Sequence, residues 1–499
     1  MRALVMLAVG LGAPGILPAV AVARRNPVVV FLAPLIGAGM AAVAAAIELG
    51  AGGSVVADYM VVAVAVNLAV IAWWLAWLRA AQPQAIATRA RSWGWPVLTL
   101  AVVLGCLAVP LMALRAPTIG WDANSIWLTH AFMVYGGHHE LLTGLKNVAY
   151  QFSNPDYPPL VPAVGALAFK FFGLGNLHLA TDMTVLLSAC ALGVVGTGIA
   201  ATGIGPGIAA AGRGGRQPAR IAAVVAAGAM CIAGFAVSGL SEVEGYTDLL
   251  WAAAAAGAVI WGLVLPHSTQ ALGVAWICAA VASLTKNEGL ITALVILVLI
   301  ALRYRPLSLP GPTARTWAER AAFVVLPALP GLAWAGLMRQ IGVHDAFFRS
   351  ASAEAPLTRA EATIAGMAAH LAVAPVALAV LAAGCWFARA DRQRAGLANP
   401  AWLWITCLGS LVTLFATYVI GGFEIHWWLG TSVSRTTIFV QVLLYAELAI
   451  WLVMAVEGAF TCSDWHSSQR PSSAGERVPE APGSPREPLP EWHHGLPTQ

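Results

Sequence analysis

The feature that most constrains this chain is a series of apolar stretches that repeats along almost its whole length. Each stretch is about 20 residues long, which as a helix spans the roughly 30 Å hydrocarbon core of a bilayer. The stretches are continuous Ala, Leu and Val runs, without the ten-residue alternation of a transmembrane β-barrel. The sequence therefore predicts an all-α, polytopic integral membrane protein with about 11–13 transmembrane helices.

The predicted segments lie at about 3–22, 28–47, 59–78, 96–114, 178–203, 220–237, 248–265, 271–284, 289–302, 321–340, 362–388, 401–420 and 436–456. The two short segments 271–284 and 289–302 suggest a tilted hairpin. The composition agrees with a membrane protein, because 10% of the 499 residues are charged, against roughly 25% in a soluble domain. A net charge of +4 indicates no nucleic-acid partner, and none of the seven scattered cysteines forms a CxxC pair typical of zinc sites.

The basic residues orient the predicted segments. They concentrate in loops that share one side when the segments are counted in order: Arg24, Arg25, Arg79, Arg89, Arg91, Arg213, Arg216, Arg220, Arg303, Arg305, Arg315, Arg320, Arg389, Arg392 and Arg394. By the positive-inside rule this side is cytoplasmic, which predicts a multi-pass protein of a bacterial plasma (inner) membrane. Basic residues on the opposite side, such as Lys170, Lys286, Arg359 and Arg435, run against the rule, and an anionic ligand there would explain them.

The predicted outer loop 115–177 carries most of the polar motifs of the chain. It contains Trp121-Asp122, then apolar residues at helical spacing that predict a surface helix, and then Asp156-Tyr157-Pro158-Pro159. The two prolines favour the first turn of a new helix at Leu160. This helix is short for a full span and is expected to lie in the interface or to re-enter the membrane. The adjacent His138 and His139 do not favour a metal site, because neighbouring helical residues face different directions.

Four short motifs occur along the chain in a recognisable order. They are Trp121-Asp122, Tyr157-Pro158-Pro159-Leu160, Thr285-Lys286-Asn287-Glu288-Gly289 and Trp428-Leu429-Gly430-Thr431-Ser432-Val433-Ser434-Arg435. In this order and on one predicted side of the membrane, the set resembles bacterial membrane glycosyltransferases of the GT-C superfamily. That group contains the protein mannosyltransferase-like and lipid A aminoarabinose transferase-like enzymes. The resemblance covers residues 96–456 as a catalytic core, with 1–95 as an N-terminal transmembrane extension. Residues 457–499 are rich in Pro, Ser, Glu and Gly, and this composition predicts a disordered cytoplasmic tail.

The resemblance implies a polyprenyl-phosphate sugar as donor, membrane lipids as surroundings, and a glycan, lipid or protein as extracytoplasmic acceptor. It also implies that the acidic residue of the first large outer loop, here Asp122, is the catalytic residue. Family members often carry a second acidic residue directly after this one, where this chain has Ala123. The departure weakens a two-carboxylate metal site, so a divalent cation is only one option and no cofactor is implied with certainty.

The chemistry of transfer gives the same residue a role on physical grounds. An acceptor hydroxyl must lose its proton as it attacks the anomeric carbon, and a carboxylate, partly buried beside Trp121, can accept that proton. The leaving phosphate requires a fixed cation, for which Arg435 is the first candidate and Lys286 the second. The further substrate-binding candidates are Asp156, Tyr157, Glu288 and Asp248.

Each candidate also has a structural alternative. The carboxylates of Asp122, Asp156 and Asp248 can cap helices, Tyr157 can belong to a turn, and Lys286 can pair with Glu288 alone. Arg435 can snorkel to the headgroup level. Two other functions also fit: a transporter or flippase of a lipid-linked or small anionic substrate, and an inactive assembly partner on the same scaffold. A transporter is expected to place polar residues at mid-membrane, whereas here they collect in loops, with Asp182 as the main exception.

The sidedness of the site can be tested directly. In a cysteine-free background, single cysteines next to Asp122 and in an Arg-rich loop should react differently with a membrane-impermeant maleimide applied to intact cells. We expect the first cysteine to be labelled and the second to be protected, because the positive-inside rule places these loops on opposite faces. Labelling of both positions from one side would contradict the predicted topology.

Overall fold

A computed structural model describes residues 1–24, 26–80, 94–111, 119–202, 216–304, 314–343, 354–371 and 401–468. Every secondary-structure element in these ranges is helical, so the predicted all-α membrane fold is confirmed. The principal helices are α1 Arg2–Ala23, α2 Val29–Ala51, α3 Val55–Ala80, α4 Gly94–Leu111, α5 Thr129–Gly136, α6 His138–Lys146, α7 Leu160–Phe172, α8 Leu177–Thr202, α9 Arg216–Val237, α10 Asp248–Val264, α11 Thr269–Thr285, α12 Asn287–Arg303, α13 Ala314–Gln340, α14 Pro356–Leu371, α15 Ala401–Ile420, α16 Ile425–Thr436 and α17 Ile438–Ser468.

Seven stretches of the described chain are long and apolar enough to cross a membrane, and α4, α7, α10 and α11 are shorter apolar helices. The sequence predicted about 11–13 transmembrane helices. That number is higher because it includes shorter helices and more polar helices as spans. The last helix continues past the predicted end near residue 456 and includes Ser468, the last described residue. Residues 457–468, predicted as the start of a disordered tail, are therefore helical, and the remainder of that predicted tail, 469–499, lies outside the described residues.

Helix α7 begins at Leu160, directly after Pro158-Pro159, as the prolines predicted. Its first ten residues, 160–169, are all buried, and the helix packs against α2, α5 and α8. The helix is therefore enclosed by neighbouring helices of the bundle, and its predicted position in the interface or along a re-entrant path stays a prediction. Helix α2 of the N-terminal segment also packs against α8 and α11, so the first helices share the hydrophobic core of the rest.

The predicted hairpin of short helices is present as α11 and α12, which are joined by Lys286 alone. Helix α10 runs from Asp248 toward Leu265, α11 returns to Thr285, and α12 leads away again to Arg303. The side chain of Arg303 donates hydrogen bonds to the carbonyl oxygens of Gly262 and Leu265 at 2.9 and 2.8 Å. One end of the bundle thus carries Arg303, and the opposite end carries the start of α10 and the α11–α12 junction.

Gly289, in the first turn of α12, allows the two helices of this hairpin to touch. A Cβ atom added at this position would lie 2.1 Å from the carbonyl oxygen of Ala282 and 3.3 Å from the Cβ atom of Trp251. Because the first of these contacts is to backbone, no side-chain movement can relieve it. The small residue therefore fixes the distance between α11 and α12, and with it the position of Lys286 between them.

We expect Gly289→Ala to push α11 and α12 apart and to destabilise the protein by about 1–3 kcal/mol, the usual cost of overpacking. A thermal shift of the detergent-solubilised protein measures this loss. The matched control is Gly430→Ala in α16, where an added Cβ meets no atom within 4 Å. The control should keep or slightly raise the melting temperature, since alanine is the better helix former. Equal melting temperatures for the two variants would show that the close approach does not matter.

Candidate functional site

Asp248 lies between two cations at one end of the bundle. Its Oδ1 atom is 2.9 Å from Lys286 Nζ, and its Oδ2 atom is 2.9 Å from Arg435 Nε. The side chain is 1% exposed, and its position in the first turn of α10 directs the positive end of the helix dipole toward it. A buried carboxylate of this kind requires opposite charges close by, and these two cations supply them. Asp248 therefore does more than cap a helix.

Asp122 occupies the other side of the Arg435 guanidinium, with its Oδ2 atom 2.5 Å from Arg435 Nη2. The residue precedes a π-helical turn, Ala123–Leu128, but its side chain makes no capping hydrogen bond. Trp121, expected to bury this carboxylate, is itself 62% exposed. The interaction that holds Asp122 is therefore the charge of Arg435, which comes from a position 313 residues later in the chain.

Lys286 connects α11 to α12 and is almost completely buried. Its Nζ atom lies 3.9 Å from Glu288 Oε1 in addition to its contact with Asp248. Burial disfavours the charged ammonium, but the carboxylates of Asp248 and Glu288 outweigh this effect and raise the pKa of Lys286 above its usual value. The lysine therefore remains a cation at neutral pH. The two cations and Asp122, Asp248 and Glu288 form one connected group, which we call the charge cluster.

Two tyrosine rings cover the cations of the charge cluster. Lys286 Nζ is 5.4 Å from the ring centre of Tyr157, and Arg435 Cζ is 4.8 Å from that of Tyr246, distances that allow cation–π attraction. The Tyr157 ring also stacks on Trp127, with centroids 5.5 Å apart. Burial raises the pKa of Tyr157 well above its usual value, which keeps the phenol neutral. Tyr157 thus contacts the site through its ring face and is more than a turn residue.

Asp156 joins the polar loop to the hairpin beside the charge cluster. Its Oδ2 atom accepts a hydrogen bond from Asn287 Nδ2 at 2.5 Å, and its carbonyl oxygen accepts one from Trp334 Nε1 at 3.0 Å. No capping bond from a side chain is found at the start of α7. These two contacts attach residues 156–157 to α12 and α13, so the loop is held at both its backbone and its side chain.

The position of Arg435 depends on a fully buried arginine elsewhere. Arg359 donates hydrogen bonds to the carbonyl oxygens of Tyr418, Val419 and Phe423, at 2.6–3.0 Å, and pairs with Glu354 at 2.7 Å. These carbonyls belong to the end of α15 and the turn that leads to α16. The hydroxyl of Tyr418 in turn contacts two hydroxyls of α16, those of Ser432 and Thr436, at 2.7 and 3.1 Å. Both flank Arg435 in sequence, so this set of bonds orients the helix that carries it.

These contacts also explain basic residues that the positive-inside rule left unexplained. Arg359 binds backbone carbonyls at the negative end of α15 and so requires no external anion. Lys170 lies 4.1 Å from the ring centre of Tyr135. Of the predicted outer basic residues within the described ranges, Lys286 and Arg435 are the pair that meets in a shared cluster, and both are already paired with carboxylates.

No three metal-ligating side chains in the described parts of the chain are placed to share one metal ion. His138 Nδ1 instead contacts the carbonyl oxygen of Glu48 at 2.9 Å. The carboxylates of the charge cluster are directed at cations of the protein, which is why they do not form a ligand set.

The structure brings together residues that the sequence singled out separately: Asp122, Asp156, Tyr157, Asp248, Lys286, Glu288 and Arg435. Their individual roles remain predictions. Sequence reasoning did not assign roles to Tyr246, Trp127, Trp334 or Tyr418, which cover or orient the cluster. Trp334 and Tyr418 lie within predicted apolar segments, where an aromatic residue gives no signal, and Trp127 and Tyr246 lie outside those segments, where no pattern singled them out.

No family model, curated protein or solved structure gives a significant match to this chain. The resemblance to the GT-C superfamily therefore stays a prediction, and the geometry of the charge cluster has to carry the functional argument. That geometry shows buried, paired charges next to aromatic rings at one end of a helical membrane bundle.

We expect Asp248→Asn to destabilise the protein by about 3–5 kcal/mol, because it leaves two neighbouring buried cations without their shared carboxylate. The melting temperature in detergent measures this loss. Glu288→Gln is the matched control: its carboxylate is 20% exposed and 3.9 Å from Lys286, so its loss should cost about 1 kcal/mol or less. A melting temperature of the Asp248 variant equal to that of the control would show that Asp248 does not hold the cluster together.

Proposed function

We propose that this protein is a membrane glycosyltransferase that moves a sugar from a polyprenyl-phosphate donor to an acceptor on the extracytoplasmic side of a bacterial plasma membrane. The observation that carries this proposal is the position of the charge cluster beside an apolar groove. A ligand that fits both must combine an anionic headgroup with a long apolar tail, and a polyprenyl-phosphate sugar is such a molecule.

The groove has a volume of about 710 Å³ and lies between α2 and α13. Its lining is apolar apart from Gln340, and includes Pro159, Leu284 and Trp334. Pro159 follows Tyr157 by two residues, Leu284 precedes Lys286 by two, and Trp334 is hydrogen-bonded to Asp156. These three residues connect one wall of the groove with the charge cluster. An apolar groove of this kind suits a lipid tail, because a polar chain would lose its hydrogen bonds there.

Arg435 and Lys286 are suited to hold the phosphate of the donor. Arginine binds phosphate oxygens through two parallel N–H groups, and lysine adds a point charge. The Arg435 side chain is 24% exposed and Lys286 is 4% exposed. Arg435 is thus the cation that a headgroup reaches first. Lys286 lies deeper and pairs with Asp248, which in turn holds Arg435. Both cations are fixed before a ligand arrives, which lowers the cost of ordering them during the reaction.

In the proposed step, a hydroxyl oxygen of the acceptor forms a bond with the anomeric carbon of the donor sugar. The bond between that carbon and the phosphate oxygen breaks, and its electron pair leaves with the phosphate, where the cations stabilise the charge. The hydroxyl proton passes to the Asp122 carboxylate. Atoms and charge balance without a redox partner, and the products are the glycosylated acceptor and polyprenyl phosphate. The acceptor is a glycan, a lipid or a protein.

A transporter or flippase of a lipid-linked or small anionic substrate is the second candidate, since the groove and cluster would suit its cargo too. The position of Asp182 favours the transferase. This residue lies six positions into α8, whose range is Leu177–Thr202, and so it is near a helix end and not at the middle of the span where transporters place their substrate sites.

The two candidates separate in one experiment. Purified protein in proteoliposomes is given synthetic polyprenyl phosphates that carry a radiolabelled hexose or pentose, with glycan, lipid and protein acceptors supplied in turn. We expect label to leave the polyprenyl phosphate, and Asp122→Asn to reduce the rate by at least about 100-fold, the scale of a lost catalytic base. Thin-layer chromatography of the lipid extract measures the transfer.

Glu361→Gln is the matched control, since it makes the same carboxylate-to-amide change on an exposed position of α14. This variant should transfer at the rate of the unmodified protein. Movement of label across the bilayer with the sugar–phosphate bond intact would favour the transporter. Neither transfer nor transport of any labelled lipid would contradict both candidates.

A further inference from the structure

The Arg435 guanidinium is shared between two carboxylates that differ in how firmly they are held. Asp248 is 1% exposed and is also bound by Lys286. The Asp122 side chain is 12% exposed, and among the described side chains Arg435 is the one that donates a hydrogen bond to its carboxylate. The contact between Arg435 and Asp122 is therefore the part of the charge cluster that can open at the least cost.

The geometry of the guanidinium makes an incoming phosphate compete for this same contact. A phosphate can dock with two parallel bonds on the edge formed by Nε and Nη2, or on the edge formed by the two Nη atoms. Nη2 belongs to both edges, and in the structure Nη2 already donates to Asp122 at 2.5 Å. Nε is directed at the buried Asp248. A phosphate on the edge formed by Nε and Nη2 therefore takes nitrogen atoms that carboxylates already hold. A phosphate on the edge formed by the two Nη atoms uses the second hydrogen of Nη2 and lies next to Asp122, whose like charge repels it.

Asp122 has the opposite requirement. An acceptor hydroxyl needs a carboxylate oxygen with a free lone pair within hydrogen-bond distance, and Oδ2 of Asp122 is directed at the arginine, which leaves Oδ1 to receive the hydroxyl. As long as the pair is closed, the two charges balance each other, and a proton transferred to Asp122 would remove the charge that balances Arg435. Asp122 can therefore accept the proton at less cost once a phosphate has become the partner of Arg435.

We infer that Asp122 and the donor phosphate exchange at Arg435, so that donor binding releases Asp122 to act as the base. This inference rests on the proposed function and adds its regulation. The exchange makes the reaction ordered, because the acceptor is activated only after the donor has bound. It also keeps the carboxylate of Asp122 bound to Arg435 when no sugar is present to be transferred.

The test measures binding and does not depend on catalysis. Farnesyl phosphate, which combines a phosphate head with a prenyl tail, is titrated into the detergent-solubilised full-length protein, and farnesol is the uncharged comparison. We expect Asp122→Asn to bind farnesyl phosphate about tenfold more tightly than the unmodified protein, because one charge-assisted hydrogen bond no longer competes. Arg435→Gln should bind at least about tenfold more weakly, and binding of farnesol should not change in either variant.

Glu288→Gln is the matched control. It removes one negative charge from the charge cluster without freeing Arg435, since Glu288 lies against Lys286. A gain in affinity for Asp122→Asn that exceeds the gain for Glu288→Gln supports the exchange. Equal gains in the two variants would reveal a general charge effect and overturn it. Unchanged or weaker binding by Asp122→Asn would also overturn it, while leaving the proposed donor class intact.

Failure of the proposed function has a different signature. If the unmodified protein binds farnesyl phosphate no better than farnesol, Arg435 does not bind the donor phosphate. That result would contradict both the proposed function and the exchange. Should Asp122→Asn fail to accumulate as a folded protein, Asp122→Ser provides the same comparison, because serine also lacks the charge that competes for Arg435.

Discussion

The charge cluster depends on the burial of one carboxylate between two cations. Asp248 is 1% exposed, yet it holds Lys286 and Arg435 at 2.9 Å each. Taking three charges out of water is costly, and it is tolerated only where their geometry satisfies one another. The backbone arranges this geometry by bringing three separate places to one point: the first turn of α10, the single residue between α11 and α12, and the last turn of α16.

Contacts around the charge cluster hold these three segments in place. Gly289 sets the separation of the two hairpin helices, Arg359 and Tyr418 orient α16, and Asp156 attaches the polar loop to α12 and α13. Each of these interactions fixes a segment whose side chain belongs to the charge cluster or covers it. Pre-organised charges of this kind are what a site needs to stabilise charge that develops during a reaction, which is why the proposed transfer fits this end of the bundle.

Much of the fold could be predicted from the sequence, because apolar length and proline position act locally. The start of α7 after Pro158-Pro159 and the hairpin around Lys286 were both predicted, and α15 ends at the predicted residue 420. The helical extension to Ser468 was missed, because its polar residues resemble those of a disordered tail.

By itself, the sequence determined that this chain is a helical membrane protein. It also identified the few polar residues that are candidates for a functional site. Only the tertiary structure decided how those residues are paired. Asp122 and Arg435 are 313 positions apart, and the partner of a charge across such a separation depends on how the helices pack, which no local pattern encodes. For the same reason the sequence suggested a pair of Lys286 with Glu288, whereas the structure makes Asp248 the closer partner of that lysine.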